Sequence, residues 1–429
     1  MLGRHLAIAA TLALTATACG QADLSADSSS ASTSATLAAS TVASNSTGAR
    51  ASGGTVSEAS GEAKAPKGAK TAKKVTVKVL PQIVQPGRKT AKASSAKVAV
   101  ETTVSPKRKT VVTLQVKSGK KWKKLSSAAT SSKGKHVFTA ALKRGGKAAT
   151  YRVVVGKTAS AEASTAAWAK PSFADEFAGK MNKAWKGQRQ HYNPQGLRSC
   201  SKGSDKAAKV TGGTLRLSVL KDTSRKDKCN AKRNGKSTGK FAYRLNGNVS
   251  TQDRYSFKYG HAAARIKFPR SMGQHGGFWM MPQVHVPNTV DPKKTGAEID
   301  VVESFGQNYS KKHQGMTSFT YHWVMKNGKG TQQKTGGYIK NITSFLNGKN
   351  DNWWDAYHVF SVEWTPTQYI FRIDGKETWR STKGVSGQPQ YLALSLLSSD
   401  YEISLLKGDK NLPQHMNVDW VRVWETNGN

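Results

Sequence analysis

Three acids crowd six positions of one apolar stretch: Glu298, Asp300 and Glu303, in the segment GAEIDVVESFG at 296–306. Ile299, Val301 and Val302 between them are β-branched, so the segment reads as a strand. Side chains alternate faces along a strand. Glu298 and Asp300 would share one face, and Glu303 would point the other way. One extra residue between Asp300 and Glu303, a β-bulge, returns Glu303 to the acidic face. Two glutamates then flank an aspartate. Two carboxyl groups about 5–5.5 Å apart, one ionised and one protonated, can perform double displacement at the anomeric carbon of a sugar. The alternative is a solvated acidic face. Like charges side by side repel, however, and the alternating apolar residues place the other face on a core, so the acids bring such a strand no structural gain.

Aromatic side chains supply the second chemical signal. Nine of the eleven Trp lie in residues 170–429. Sugar rings present C–H faces that pack on aromatic surfaces, although most Trp of a domain belong to its core. Trp279, in GGFWMMP at 276–282, is the candidate substrate platform, because its segment resembles the strand beside the catalytic one in a family of glycan-cleaving enzymes; the two glycines before it permit close backbone approach. His322, in SFTYHWV at 318–324, alternates onto a polar face with Ser318 and Thr320 and is a second candidate, with a structural role as the alternative.

Taken together these residues resemble glycoside hydrolase family 16, whose bulged signature has the form E-x-D-x-x-E. FADEF at 173–177 resembles its N-terminal strand and GGFWMMP the strand before the acids. YHVFSVEWTPTQYIFRIDGKETWR at 357–380 resembles the hairpin after them, and MNVDWVRVWE at 416–425 the closing strand. The resemblance covers about 170–426. It implies an all-β, concanavalin-like jelly-roll sandwich of two antiparallel sheets with a cleft on the concave side. It also implies Glu298 as nucleophile, Asp300 as its hydrogen-bonding neighbour and Glu303 as acid/base. The expected activity is internal hydrolysis of a β-linked polysaccharide with retention, of β-1,3-glucan (laminarin type) by family preference. Another glycan (a galactan, or a sulfated or acidic polysaccharide), transglycosylation, and a non-catalytic glycan-binding lectin are the competing readings. No cofactor is implied for catalysis. Many relatives carry a structural calcium away from the cleft, and Glu176 and Asp419 match positions that hold it. The alternative is that both make strand-end hydrogen bonds.

The elements that position this site follow a leader. Arg4 and His5 precede an apolar run from Leu6 to Ala18, too short to span a membrane as a mature helix. It ends in ATAC, which resembles a bacterial lipoprotein signal (residues 1–19) with Cys19 as the lipidated residue. A plain secretory signal is the alternative. Either predicts export, to the cell surface if lipidated. Cys200 and Cys229 then remain, and in an exported chain they suggest a disulfide stapling a surface loop, with two free thiols as the alternative. Zinc needs more ligands than this pair. Residues 20–71 are Ser, Ala, Thr, Gly and Lys and read as a disordered tether. Short alternating runs over 72–157 predict a small β-sandwich, which resembles the immunoglobulin-like modules of exported bacterial enzymes. A linker is expected at 158–169 and the catalytic domain at 170–429.

The net charge is +41. Residues 1–169 hold 27 Lys and Arg against 6 Asp and Glu, and residues 170–429 hold 40 against 20, so both halves are basic. Export and the lack of any recognition motif argue against nucleic acid. The basic N-terminal region then suits anionic wall polymers or a membrane surface, the cleft suits a polysaccharide, and the chain is expected to be a monomer.

Overall fold

The computed structural model of the protein describes residues 72–427 except 189, 194–195, 285, 287–288, 311–312 and 349. The leader, Cys19 and the 20–71 segment lie outside the described residues. Among those described, no helix is long and apolar enough to cross a membrane.

The larger part is an all-β sandwich. In chain order its main strands are β1 (Thr214–Lys221), β2 (Arg244–Ser250), β3 (Gly260–Lys267), β4 (His275–Pro282), β5 (Glu298–Ser304), β6 (Met316–Lys326) and β7 (Lys329–Tyr338). β8 (His358–Trp364), β9 (Tyr369–Ile373), β10 (Lys376–Ser381), β11 (Gln390–Leu397) and β12 (Gln414–Glu425) follow. Hydrogen bonding runs β7-β6-β5-β4-β11-β2-β1-β12-β3-β8-β9-β10, antiparallel throughout. The first six strands make one sheet and the last six the other. β2 belongs to both: Gly247–Ser250 pair with β11, and Arg244–Asn246 with β1. The crossing requires glycine, because a Cβ at Gly247 would stand 2.4 Å from the Ala207 carbonyl oxygen.

Phe278, Met280, Ile299 and Val302 of the first sheet meet Ala262, Ala264, Ile266, Phe360, Val362 and Val421 of the second in the main core. The second sheet is also covered on its outer face. Ala263, Val359, Trp420 and Trp424 pack there against Leu80, Ile83, Val84, Ala93 and Ala96 of the N-terminal part. Burial on both faces explains why GHAAARIK shows little alternation of polarity.

The N-terminal part contains two small sheets. Lys74–Val79, Val98–Ser105 and Lys135–Ala140 form one. Val111–Ser118 lies between Lys121–Ala129 and Thr150–Val155 in the other. Their inner faces, with Val98, Val100, Val112, Leu114, Tyr151 and Val153, share one core. The stretch expected as a linker at 158–169 instead continues this unit: Thr158–Ala159 and Ala163–Ser164 pair with Thr150–Val155. Trp168 then packs edge-on against His261 and donates from Nε1 to the Val79 carbonyl.

Polar contacts fasten the two parts. Arg265 donates to the carbonyls of Gln85 at 2.7 Å, of Lys89 at 3.1 Å and of Gly87 at 3.3 Å, and pairs with Asp419. Arg372 bridges Glu101 at 3.0 Å and Glu363 at 2.8 Å, and Lys78 also pairs with Glu363. The calcium expectation fails on these contacts. Asp419 accepts from Arg265 and from the Ala91 N–H at 3.1 Å. Glu176 accepts from Arg422 at 2.9 Å and from the Ala93 N–H at 3.3 Å. A guanidinium already supplies the positive charge at each carboxylate, so this donor set does not fit a divalent ion.

Cys200 and Cys229 are joined in a disulfide. Contrary to the surface-loop expectation, both are buried with Ala231 and Ile403, the segment between them includes the sandwich strand β1, and Cys229 itself lies in the hairpin of Lys228–Arg233 and Lys236–Ala242.

Candidate active site

The acids sit on β5. Glu298 is 4% exposed, and Asp300 and Glu303 are fully buried. β5 pairs with β6 as Glu298–Tyr321, Ile299–Thr320 and Asp300–Phe319, then resumes as Glu303–Thr317 and Ser304–Met316. Val301 and Val302 together face the single residue Ser318. On the other edge Asp300 pairs with Trp279 and Val302 with Phe278, which makes Val301 the additional residue. The carbonyl it leaves outside the ladder accepts from the Ser318 hydroxyl at 2.8 Å. Directly paired residues of antiparallel strands share a face. Glu298, Asp300 and Glu303 therefore share theirs with Trp279 on β4 and with Thr317, Phe319 and Tyr321 on β6. Gly277 pairs with Glu303, and the Trp279 ring leans over the glycine: a Cβ at Gly277 would stand 3.2 Å from Trp279 Cδ1.

Burial and the neighbouring Glu303 charge push the Glu298 carboxyl up to about 8. Asp300, fully buried beside both glutamates, is raised well above the ordinary carboxylate range. As two carboxylates Glu298 and Asp300 have no donor between them. With a proton on Asp300, that group donates to Glu298 and opposes the rise of the glutamate. Two cations act in the same direction. Lys334 on β7 pairs with Tyr321, and its Nζ lies 3.9 Å from the centre of the Phe319 ring. Arg198 also lowers Glu298, and its buried Nε and Nη2 have no hydrogen-bond partner among the described residues. The site is an aromatic-lined acid cluster with basic flanks. It can hold one carboxylate ionised while another keeps its proton.

Trp279 lies where the sequence places it, beside Asp300, with Nε1 donating to Ser395 Oγ at 3.1 Å. His322 does not join the acids. It follows Tyr321 on β6 and so turns to the opposite face, where it packs on Gly384 and burial lowers its imidazole below the ordinary range. The parity is opposite to the expectation: the polar set Ser318, Thr320 and His322 turns away from the acids, and the aromatic set beside it faces them. Pairing β6 onto the bulged strand reverses that reading and would have found Phe319, Tyr321 and Lys334. Glu176 and Asp419 are on the far sheet in arginine pairs and take no part in this site.

Among proteins of known activity, 200 residues of the chain are 27% identical to "Glucan endo-1,3-beta-glucosidase A1" of Niallia circulans, covering 43% of this chain and 27% of that one. A "Beta-glucanase" of Rhodothermus marinus is 27% identical over 30% of this chain and 40% of its own length. "Kappa-carrageenase" of Pseudoalteromonas carrageenovora is 24% identical over 59% and 64%. The chain thus spans less than two thirds of each of these relatives. The laminarinase catalytic domain of Thermotoga maritima MSB8 aligns at a TM-score of 0.44 and 18% identity, over 60% of this chain and 98% of that one. The sequence profile "Glycosyl hydrolases family 16" matches residues 200–422, a span that contains the whole acid strand and both of its neighbours. With more than half of its length so matched, the chain belongs to glycosyl hydrolases family 16.

Proposed function

We propose that this protein is an exported glycoside hydrolase that cuts β-linked polysaccharide internally with retention, and that β-1,3-glucan is its preferred substrate. The observation that carries the reading is the bulge at Val301, because it brings Glu298, Asp300 and Glu303 onto one buried face. In this reading Glu298 attacks the anomeric carbon as carboxylate, and Glu303 gives its proton to the departing glycosidic oxygen. A covalent glycosyl–Glu298 ester results. Glu303, now a carboxylate, takes a proton from water as the water oxygen attacks the anomeric carbon, which releases Glu298. Asp300 keeps its own proton and holds Glu298 by a hydrogen bond. Trp279 offers a sugar-stacking surface beside the acids.

Two relatives named as glucanases support the glucan preference. The carrageenase relative and the cations at Lys334 and Arg198 favour a second reading, an anionic glycan. The two small N-terminal sheets fit an immunoglobulin-like module, and the leader fits lipidation at Cys19. The basic N-terminal region would then adhere to anionic wall polymers or lipid.

Purified enzyme is expected to release short oligosaccharides from laminarin. Laminarin left intact while agarose or κ-carrageenan is degraded would remove the glucan preference. The roles of the acids are read from azide products. Glu298→Ala with azide and an activated substrate should give the inverted glycosyl azide. Glu303→Ala should give the retained β-azide, because its nucleophile survives. Each substitution should lower kcat by several orders of magnitude. NMR of the anomeric centre decides, and exchanged products would reverse the assignment.

A further inference from the structure

The aromatic stripe on β6 does not end at the acids. Phe319 and Tyr321 pair with Asp300 and Glu298, and the same face continues to Trp323 and Met325. Exposure rises along it: Phe319 is fully buried, Trp323 is 37% exposed and Met325 62%. Trp323 pairs with the exposed Gln332, and Met325 with Gly330, which brings no side chain to that face. Phe319 stacks with Tyr321 and lies under Lys334. Trp323 has no ring, cation or hydrogen-bond partner among the described residues. A large, flat, half-exposed ring at the end of a cleft stripe has one evident physical use, which is to hold another flat apolar surface.

We propose that Trp323, edged by Met325 and with the exposed Gln332 amide beside it, is an outlying sugar-binding subsite that stacks a pyranose ring of the glycan chain. The inference rests on the glycan-cleft reading above. The occupant is a sugar of the same chain because the stripe is continuous with the residues paired to Glu298 and Asp300. Same-face positions on a strand are about 7 Å apart and neighbouring strands about 4.8 Å, so Trp323 stands roughly 8 Å from Glu298 along the backbone. A chain lying over the acids reaches Trp323 within a ring or two. The subsite therefore serves any chain that extends a ring or two past the acids toward the hairpin end of β6.

The test is native affinity electrophoresis of the full-length Glu298→Gln variant in gels containing laminarin, agarose or κ-carrageenan. At least one of the three should retard it. Adding Trp323→Ala should raise the apparent Kd for that glycan roughly tenfold, and Trp323→Tyr should recover most of the loss. Equal retardation with and without Trp323 would overturn the subsite while leaving the proposed function standing. A loss that Trp323→Tyr does not recover would also overturn it, as damage to the hairpin. Failure of all three glycans to retard Glu298→Gln would remove the glycan-cleft reading, and the subsite with it.

Discussion

At the scale of residues, the decisive quantity is the number of protons shared by three buried acids. Burial alone would neutralise all of them, and a neutral Glu298 cannot attack. Two influences keep its carboxylate accessible: the hydrogen bond from Asp300 and the positive charges of Lys334 and Arg198. Since its carboxyl stands near 8, the acid limb of the kcat/KM profile should lie well above the range of an ordinary glutamate, with activity falling as pH drops and Glu298 takes up its proton. Lys334→Met removes a charge that lowers Glu298, so the limb should move to still higher pH, by up to about a unit. Lys334→Arg should leave it near the wild-type position. The pH–rate profiles of the three proteins make the comparison. A limb unmoved in Lys334→Met would mean that Lys334 does not tune the nucleophile.

At the scale of elements, a single additional residue decides whether the strand carries chemistry. In the spacing E-x-D-x-x-E, parity alone forbids Glu303 from joining the other acids, so the motif announces both the strand and its irregularity. Trp279 was legible for the same reason, since it lies on the strand directly paired to the acids. What the sequence concealed was how the neighbour on the other side faces. SFTYHW has a polar and an aromatic set in alternation, and the usual rule assigns the aromatic set to the core. A sugar cleft inverts that rule, so Phe319 and Tyr321 line the site while His322 lies beneath Gly384. The arginine pairs of Glu176 and Asp419 were hidden because their partners are distant in sequence. Deleting Val301 should restore a regular ladder with the spacing E-x-D-x-E, in which plain alternation keeps Glu303 on the acid face. Activity should then persist, lowered by up to about 100-fold because the acids shift slightly. Ser318→Ala leaves the bulge carbonyl without its donor and should cost about 1–3 kcal/mol. Activity assays and thermal melts distinguish the two variants from wild type, and a deletion variant that folds but has no activity would show that alternation alone does not place Glu303.

At the scale of the whole molecule, the N-terminal sheets are not a free spacer. Leu80, Ile83, Val84 and Ala93 cover Trp420 and Trp424, and three backbone carbonyls of the 85–89 segment complete the shell of a buried arginine. Removing a partner from such a buried charge costs about 3–5 kcal/mol. A chain cut to residues 170–429 should therefore melt on the order of 10 °C lower than one beginning at residue 72, or aggregate through the uncovered tryptophans. Calorimetry of the longer chain should give one cooperative transition. Two resolved transitions, with the shorter chain melting at the upper one, would restore the spacer picture. The same seam bears on inheritance. Glycanases are often regarded as cassettes whose accessory domains are exchanged freely. Here Arg265 and the carbonyls of Gln85, Gly87 and Lys89 are written some 180 positions apart yet answer one another. A recombination that supplied a foreign N-terminal domain would leave Arg265 and its tryptophan neighbours facing water. Exchange of either segment alone should therefore cost the molecule stability, and exchange of both together should not.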